Sequence, residues 1–363
     1  MSTDSVLAGR LPSPPRSLLE SAAITAVIPC YNYGGYLPAA VRAVLEQAAV
    51  DARVIIVDDA SPDGSGNVAQ ALADADDRVT VIRHHENLGH IRTYNDGLAQ
   101  VTTEFVTLVS ADDIVAPGAF ARAIALMQHH PSVGLVYGPI ETFETHPGVH
   151  RSSARTWWRV TPGRRWAAAM ARRTECEIRS PEAVLRTATL RSVGRYNPDL
   201  PRTADMEYWL RVGLGWDIGY VGGATQAFYR LHGSNMHVTE HHDLASMVTH
   251  RYRALLPVFA EPFSSHLEKK ARRRLAGIAL RHVHRKLVRG RWDSDDADAV
   301  RAADEIWPQW RTSPRWSHLA RSLAEREASG RLRGWTRISG IPLAHLDRVR
   351  FRVRGALHRG ARA

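Results

Sequence analysis

Four short apolar runs rich in β-branched residues constrain this chain most: Ile24–Pro29, Arg53–Val57, Val79–Ile82 and Phe105–Val109. Each ends in a polar turn. Helical patterns fill the gaps, from Pro38 to about Gln47, from about Gly66 to Ala73, and from Thr93 to Gln100. Alternation at this spacing predicts an α/β fold with a mainly parallel sheet and helices on both faces. Ligands of such sheets collect beyond the carboxyl ends of the strands. Asn32, Asp58, Asp59 and Asp112 all follow strand ends, so they are expected to converge on one site.

The fourth run stops at two adjacent acids, Ser110-Ala111-Asp112-Asp113, with Pro117-Gly118 just after. Paired acids at a strand exit suit a hard divalent cation that also holds a diphosphate. Taken alone, they read equally as an acidic loop or a helix cap.

With 363 residues the chain has room for a large domain and a smaller one. Its net charge of +11 is lopsided: residues 236–363 hold 26 Lys+Arg against 13 Asp+Glu, and the first 235 hold 22 against 24. Basicity therefore belongs to the C-terminal third, where it suits an anionic surface. No nucleic-acid-binding motif accompanies it, and no nucleic acid partner is expected. Cys30 and Cys176 stand far apart without metal-ligand spacing, which argues for a reducing, cytoplasmic setting. No run approaches the roughly 18 apolar residues of a spanning helix. Residues 1–21, with Pro12, Pro14 and Pro15, read as a flexible leader without a signal-peptide core.

Four blocks in order, Val27–Asn32, Ile56–Ser65, Asn87-Leu88-Gly89 and Ser110–Asp113, resemble the family 2 glycosyltransferases with a GT-A fold. The likeness runs from about Ile24 to Asn235. It implies a Rossmann-like, mixed but mainly parallel sheet over residues 22–238, with a nucleotide-sugar half (about 22–118) and an acceptor half (about 119–238). Residues 239–363 would form a basic, mainly helical extension. The family moves a sugar from a nucleotide diphosphate to an acceptor hydroxyl with inversion. Carried over by position, the resemblance implies that Pro29, Tyr31, Asn32, Asp59, Asn87, Ser110, Ala111, Asp112 and Arg230 bind the nucleotide-sugar. Asp59 would meet the base, with a UDP-sugar favoured, and Asp112 and His232 would hold Mg²⁺ or Mn²⁺.

Two residues in or beside these blocks depart from the family pattern. Ser110 stands where the first acid of the Asp-rich motif is usual, and Tyr94 replaces an arginine often found before Asn-x-Gly, here Asn95-Asp96-Gly97. By themselves, Asn95 and Gly97 read as a helix start and a turn.

Further on, Met206, Trp209 and Leu210 mark the apolar face of a helix beginning near Asp205. An acid there serves as an N-cap; the family resemblance implies a catalytic base instead. Ala204 occupies the position of the usual Glu, leaving Asp205 as the base and Glu207 in reserve. Phe228–Asn235 resembles the family's Tyr-Arg-x-His-x-x-Asn ending and supplies Arg230 and His232. The Gln-x-x-Arg-Trp signature of processive synthases is absent, which favours single-sugar transfer.

Trp157, Trp158 and Trp166, among arginines between Arg151 and Arg173, read as core packing, a mobile flap or an acceptor platform. Arg348–Arg354 alternates charged and apolar residues, suiting a strand or an interface-lying segment. The combined expectation is a cytoplasmic, metal-dependent, inverting transferase acting in cell-surface glycan synthesis, whose basic C-terminal region either packs on the catalytic domain or makes a peripheral contact at the inner membrane face. Its acceptor would be a glycan, a lipid-linked sugar or a small molecule. A non-catalytic nucleotide-sugar-binding partner subunit is the alternative.

Overall fold

The structure is a computed structural model that describes residues 12–145, 147, 155–233 and 244–328. Asn235 and the Arg348–Arg354 segment lie outside the described residues, as does Arg151. Two compact units emerge: residues 1–167 with 176–233, and residues 168–175 with 234–363.

The first unit is built on an eight-stranded sheet. In chain order its strands are β1 (Ala23–Cys30), β2 (Asp51–Asp58), β3 (Val79–Arg83), β4 (Phe105–Leu108), β6 (Val133–Tyr137), β8 (Trp157–Thr161), β9 (Val184–Arg186) and β10 (Asp217–Gly222). They lie in the order β3-β2-β1-β4-β9-β6-β10-β8. β1 is parallel to β2 and β4, β2 to β3, and β6 to β10. β9 runs antiparallel between β4 and β6, and β8 antiparallel beside β10. From β1 the chain builds outward through β2 and β3, then returns to place β4 on β1's other side. That reversal opens a crevice at the carboxyl ends of β1 and β4. A second sheet, β5 (Ile114–Val115), β11 (Ala227–Arg230) and β7 (Ile140–Phe143), stands beyond those ends and carries the residues after Asp113.

Burial on both faces explains why the inner strands read as unbroken apolar runs. Ile24, Val27, Ile28, Ile56, Val57 and Phe105 are all sealed from solvent. The covering helices obey their periodicity: α1 (Leu37–Leu45) buries Leu37, Ala40, Val41 and Val44. α2 (Ser65–Ala75) follows β2. α3 (His90–Leu98) crosses so close that a Cβ on Gly97 would lie 2.5 Å from Val27 Cγ1 and 2.8 Å from Val57 Cγ2. Gly97 is therefore a packing glycine inside a helix, not the expected turn. α4 (Ala119–His129) begins after β5, with Gly118 as its N-cap.

Residues 12–21, the described part of the expected leader, make defined contacts. Ser13 exchanges both backbone hydrogen bonds with Trp158, at 2.9 and 2.8 Å. Leu19 N–H donates to Gln128 Oε1 (2.8 Å), and Gln128 Nε2 donates back to Glu20 O (3.1 Å). Proline spacing hid this because the anchoring partners lie more than 100 residues away. The tryptophan cluster is mostly core. Trp158 is buried beside the rings of His129 and His130, and buried Trp166 donates to the Tyr137 hydroxyl at 3.2 Å. Only Trp157, tilted against Tyr220, keeps partial exposure.

The second unit is helical where described. It contains helices Leu244–Ala254, Ser265–Val288, Ser294–Ile306 and Ser317–Ala328. Leu267, Ala271, Leu275 and Ile278 keep helical spacing, and all but partly buried Ile278 are fully buried. Asp293 caps the third helix reciprocally: its side chain accepts from Asp296 N–H, while Asp296 accepts from Asp293 N–H. Among the described residues, no helix is long and apolar enough to cross a membrane.

Candidate active site at the carboxyl edge of the sheet

The loop after β1 turns sharply because Asn32 adopts φ 61°, a left-handed conformation that asparagine tolerates. Its N–H donates to Ser61 Oγ (3.1 Å) and Gly34 N–H to Ser65 Oγ (2.7 Å), tying this loop to the one after β2. Pro29 lies in register with Val57, and Tyr31 stands 43% exposed at the rim. Asp59, 3% exposed, accepts His84 Nδ1–H (2.7 Å) and Leu88 N–H (2.9 Å) on Oδ1, and Gly89 N–H (2.9 Å) on Oδ2. Burial pushes this carboxyl up, but the His84 bond and the two amides outweigh it and hold it below the ordinary range. Asn87 caps the same turn by accepting Gly89 N–H at 3.1 Å. Asp58 departs from the expected convergence: it is buried, accepts from Ser61 N–H and faces Arg83 at 3.7 Å.

The exit of β4 folds into a turn closed by Asp113 N–H on Ser110 O (3.1 Å). Asp112 projects to His232, with Oδ2 and Nε2 2.9 Å apart. Tyr36 stacks on the His232 ring at 5.5 Å and 18°, and Tyr33 meets it edge-on at 5.6 Å. Ala111 is buried beneath, and the Ser110 hydroxyl bonds Asp113. Asp113 is fully buried; its Oδ1 accepts Arg230 N–H (2.9 Å), and Oδ2 has no partner among the described residues. Burial and then the charge of Asp112 drive its carboxyl well above the ordinary range. Asp112 is thus the acid of this pair that is presented, and Asp113 the one that supports the turn.

Arg230 turns inward. Its guanidinium, sandwiched between Tyr36 (4.7 Å) and Phe143 (4.3 Å), donates to Asp112 O (2.9 Å), Glu144 O (3.2 Å) and Thr145 O (3.1 Å). At 8% exposure it clamps main chain around the acidic turn rather than facing outward to a phosphate.

A third group assembles at α7 (Ala204–Gly215), whose first turn carries Asp205. Asp205 Oδ2 accepts from Ser180 Oγ at 3.1 Å, while Oδ1 has no partner among the described residues. Burial raises its carboxyl above the ordinary value, with Ser180 and the nearby His90 pulling it back. Glu207, the reserve base, is occupied by Arg211 through two bonds of 2.7 and 2.8 Å. Tyr94 packs edge-on against His90 and Tyr196. Burial raises its hydroxyl, followed by the charges of Asp205, Asp112 and Asp113, so it sits within electrostatic reach of both acidic groups.

Several contributors take roles that no local pattern records. Asn95 acts as a surrogate peptide, donating to Tyr196 O (3.0 Å) and accepting Tyr196 N–H (2.8 Å). Ser180 orients Asp205, and Arg179 lies over the Tyr229 ring at 4.9 Å. Glu182 is buried, with Oε1 accepting Arg179 N–H (2.6 Å) and Oε2 unpartnered among the described residues. Only the turn-forming Ser180-Pro181 pair could have drawn attention to this segment.

The sequence model of Glycosyl transferase family 2 matches residues 25–176. Glycosyltransferase GlyG of Streptococcus pneumoniae is 37% identical over 95 residues, which cover 26% of this chain and 32% of GlyG. An uncharacterized glycosyltransferase of Haemophilus influenzae is 23% identical over 236 residues, covering 62% of this chain and 71% of that protein. Among solved structures, S. aureus TarS residues 1–349, crystallised with UDP-GlcNAc, superimposes with a TM-score of 0.51 at 14% identity. The alignment covers 80% of this chain and 92% of that one. The strand order, the acidic turn at the β1–β4 crevice and these matches agree: residues 25–176 match the family 2 glycosyltransferases, and the first unit has the GT-A fold.

Proposed function

We propose that the protein is an inverting glycosyltransferase that moves one sugar from a nucleotide diphosphate-sugar to an acceptor hydroxyl, with Asp205 as general base. The observation that carries this reading is Asp205 itself. It is a carboxylate in the first turn of α7, with one oxygen fixed by Ser180 and the other left without a partner among the described residues. A free oxygen on an oriented carboxylate is what an acceptor hydroxyl needs within hydrogen-bond reach. Burial raises its proton affinity, which strengthens it as a base.

In the displacement, the acceptor oxygen bonds to the anomeric carbon while its proton passes to Asp205 Oδ1. The bond to the diphosphate oxygen breaks, and the nucleoside diphosphate leaves with the electron pair. Asn32, Asp59 and the Asn87 turn form the nucleoside side, with Tyr31 at its rim and Ser110 and Ala111 at the floor. Asp112 and His232, one carboxylate and one imidazole side by side, fit a divalent ion that takes further ligands from a diphosphate. When bound, Mn²⁺ or Mg²⁺ would neutralise charge on the leaving diphosphate. Arg230 serves this site indirectly, holding the main chain that presents Asp112. A UDP-sugar is the first donor to test, as the TarS structure of like fold holds UDP-GlcNAc.

The test is nucleoside diphosphate release from a panel of nucleotide-sugars, with and without Mn²⁺, in the wild type, Asp112→Asn and Asp205→Asn. Loss of a general base lowers turnover by about 10²–10⁴-fold. Asp205→Asn should show that loss with donor affinity retained, whereas Asp112→Asn should lose donor affinity as well. Normal turnover in both variants would refute the site. Donor binding without turnover in the wild type would turn the reading to a nucleotide-sugar-binding subunit.

A further inference from the structure

The helical unit carries a groove of about 410 Å³ whose walls hold four arginines, Arg273, Arg274, Arg281 and Arg315, and two tryptophans, Trp307 and Trp316. No acid lines it. The one acid paired with these arginines among the described residues is Glu175, 3.8 Å from Arg274 and itself largely exposed. Four guanidinium groups around one concavity repel one another unless an anion joins them.

The groove is held by its surroundings. Arg272, on the helix Ser265–Val288, donates to Ile306 O at 2.9 Å and so fixes the end of the helix Ser294–Ile306, where Trp307 begins the next turn. Asp304 receives both Trp310 Nε1–H (2.9 Å) and Arg311 (2.8 Å), pinning the connection that leads to Trp316. Trp316 is 8% exposed and forms a fixed wall, while Trp307 stays partly open. Arg273 lies over the Trp307 ring at 5.5 Å and Arg315 over Trp316 at 5.6 Å. At the floor is Gly277, where a Cβ would stand 3.3 Å from Arg281 Nη1 and 3.9 Å from Trp316. Glycine is a poor residue for a helix interior, and here it leaves room between the cation and the ring.

We propose that this groove binds an anionic sugar, with a phosphate or carboxylate among the arginines and the pyranose ring against Trp307. Guanidinium forks match the planar or tetrahedral oxygens of either anion. An indole face covers the apolar face of a sugar ring, which bare phosphate cannot use. A concave site with its aromatic rings set into the walls favours a discrete ligand over a flat lipid surface. The proposal is independent of the transfer reaction. Holding a charged glycan on the enzyme that extends it is a consequence that rests on the reading given above.

The test is calorimetric titration of the full chain with glucose 6-phosphate, glucuronic acid, glucose and inorganic phosphate. Co-sedimentation with phosphatidylcholine vesicles containing phosphatidylglycerol runs alongside. Glucose 6-phosphate or glucuronic acid should bind at least about tenfold more tightly than glucose or phosphate alone, a difference of about 1.4 kcal/mol. Which acid binds better identifies the anion. The exposed double substitution Arg273→Glu/Arg281→Glu should abolish that binding with the melting temperature and UDP binding unchanged, and Arg315→Glu serves as a second variant. Trp307→Ala should erase the preference for sugar phosphate over phosphate, while Trp307→Phe keeps it. Equal binding of phosphate and glucose 6-phosphate by the wild type would overturn the proposal, as would binding that survives both arginine variants. Vesicle binding lost in those variants, without sugar binding, would assign the groove to lipid and also overturn it.

Discussion

Replacing Asp59 with asparagine tests how much of the nucleotide edge depends on one carboxylate. Asp59 accepts three hydrogen bonds, from His84 and Leu88 on Oδ1 and from Gly89 on Oδ2. As an ionised carboxylate is acceptor only, His84 Nδ1 is the donor in its pair. Asparagine keeps the shape but turns one oxygen into an NH₂. In the less costly orientation that NH₂ faces Gly89 N–H, which keeps only its longer bond to Asn87 Oδ1, while the other two bonds persist without the charge. One charge-assisted bond is worth about 1.5–3 kcal/mol, and the surviving pair weaken as well. We expect a loss of about 3 kcal/mol, a large share of the roughly 5–15 kcal/mol that holds a domain folded.

Acid supplies the control. The folded Asp59 carboxyl lies below its ordinary value of 3.8, so its contribution is present above that pH and disappears as pH falls through the folded value. Urea unfolding at pH 7 should therefore separate wild type from Asp59→Asn clearly, and the gap should close as the titration is repeated into acid. An Asn variant as stable as wild type at pH 7 would refute the reasoning, as would a gap independent of pH. Carboxylates offer about four acceptor positions, and three are taken here, which leaves one for a nucleobase N–H. Loss of UDP affinity with stability intact would mean that Asp59 serves the ligand and not the turn.

The remaining predictions use the same logic. Asp205 is held above the ordinary carboxylate value of 3.8 by burial, so turnover should fall as pH drops while ordinary carboxylates are still ionised. Ser180→Ala removes the hydroxyl that favours the charged form; its acid limb should move to higher pH with the plateau rate reached above it, as a pH–kcat profile would read. Gly97→Ala sets a methyl against Val27 and Val57 and should destabilise by about 1–3 kcal/mol in thermal unfolding, against the usual helix preference for alanine. Glu182 is raised by burial from 4.5 to about 8, so the folded state holds its proton longer than the unfolded one. Its effect is neutral below pH 4.5 and costs stability as pH rises towards 8, up to an upper bound of roughly 5 kcal/mol. Glu182→Gln should match wild type in acid and exceed it in urea stability at pH 8; equal pH slopes for the two proteins would defeat this account.

What could be read from the sequence divides by the distance between partners along the chain. Strands β1 to β4 announce themselves because burial on both faces demands apolar runs, and the acids at their ends are local punctuation. Asp205 could be placed at a helix start because that helix's apolar face lies within six residues, and only the family resemblance marked it as a base. The rest is made by pairings that no local pattern records. Asp112 meets His232 across 120 positions, and Asn95 holds Tyr196 across 101. The three-residue strand β9 is placed by Thr107, whose hydroxyl donates to Ala183 O at 2.8 Å. Arg230 shows the same limit from the other side. Its position in a motif marked it for the site, yet a guanidinium flanked by Tyr36 and Phe143 and facing three carbonyls is committed before any phosphate arrives. Motif position located that residue, and packing decided its task. The same separation explains the orphaned oxygens of Asp205 and Asp113. Asp205 is half-buried and Asp113 buried, but Ser180 orients the first beside a free lone pair, whereas Arg230 and Ser110 lock the second into the turn. Two carboxylates that each keep one oxygen unpartnered are thus suited to unlike roles, the proposed chemistry for Asp205 and architecture for Asp113, by virtue of partners that lie far off in the chain.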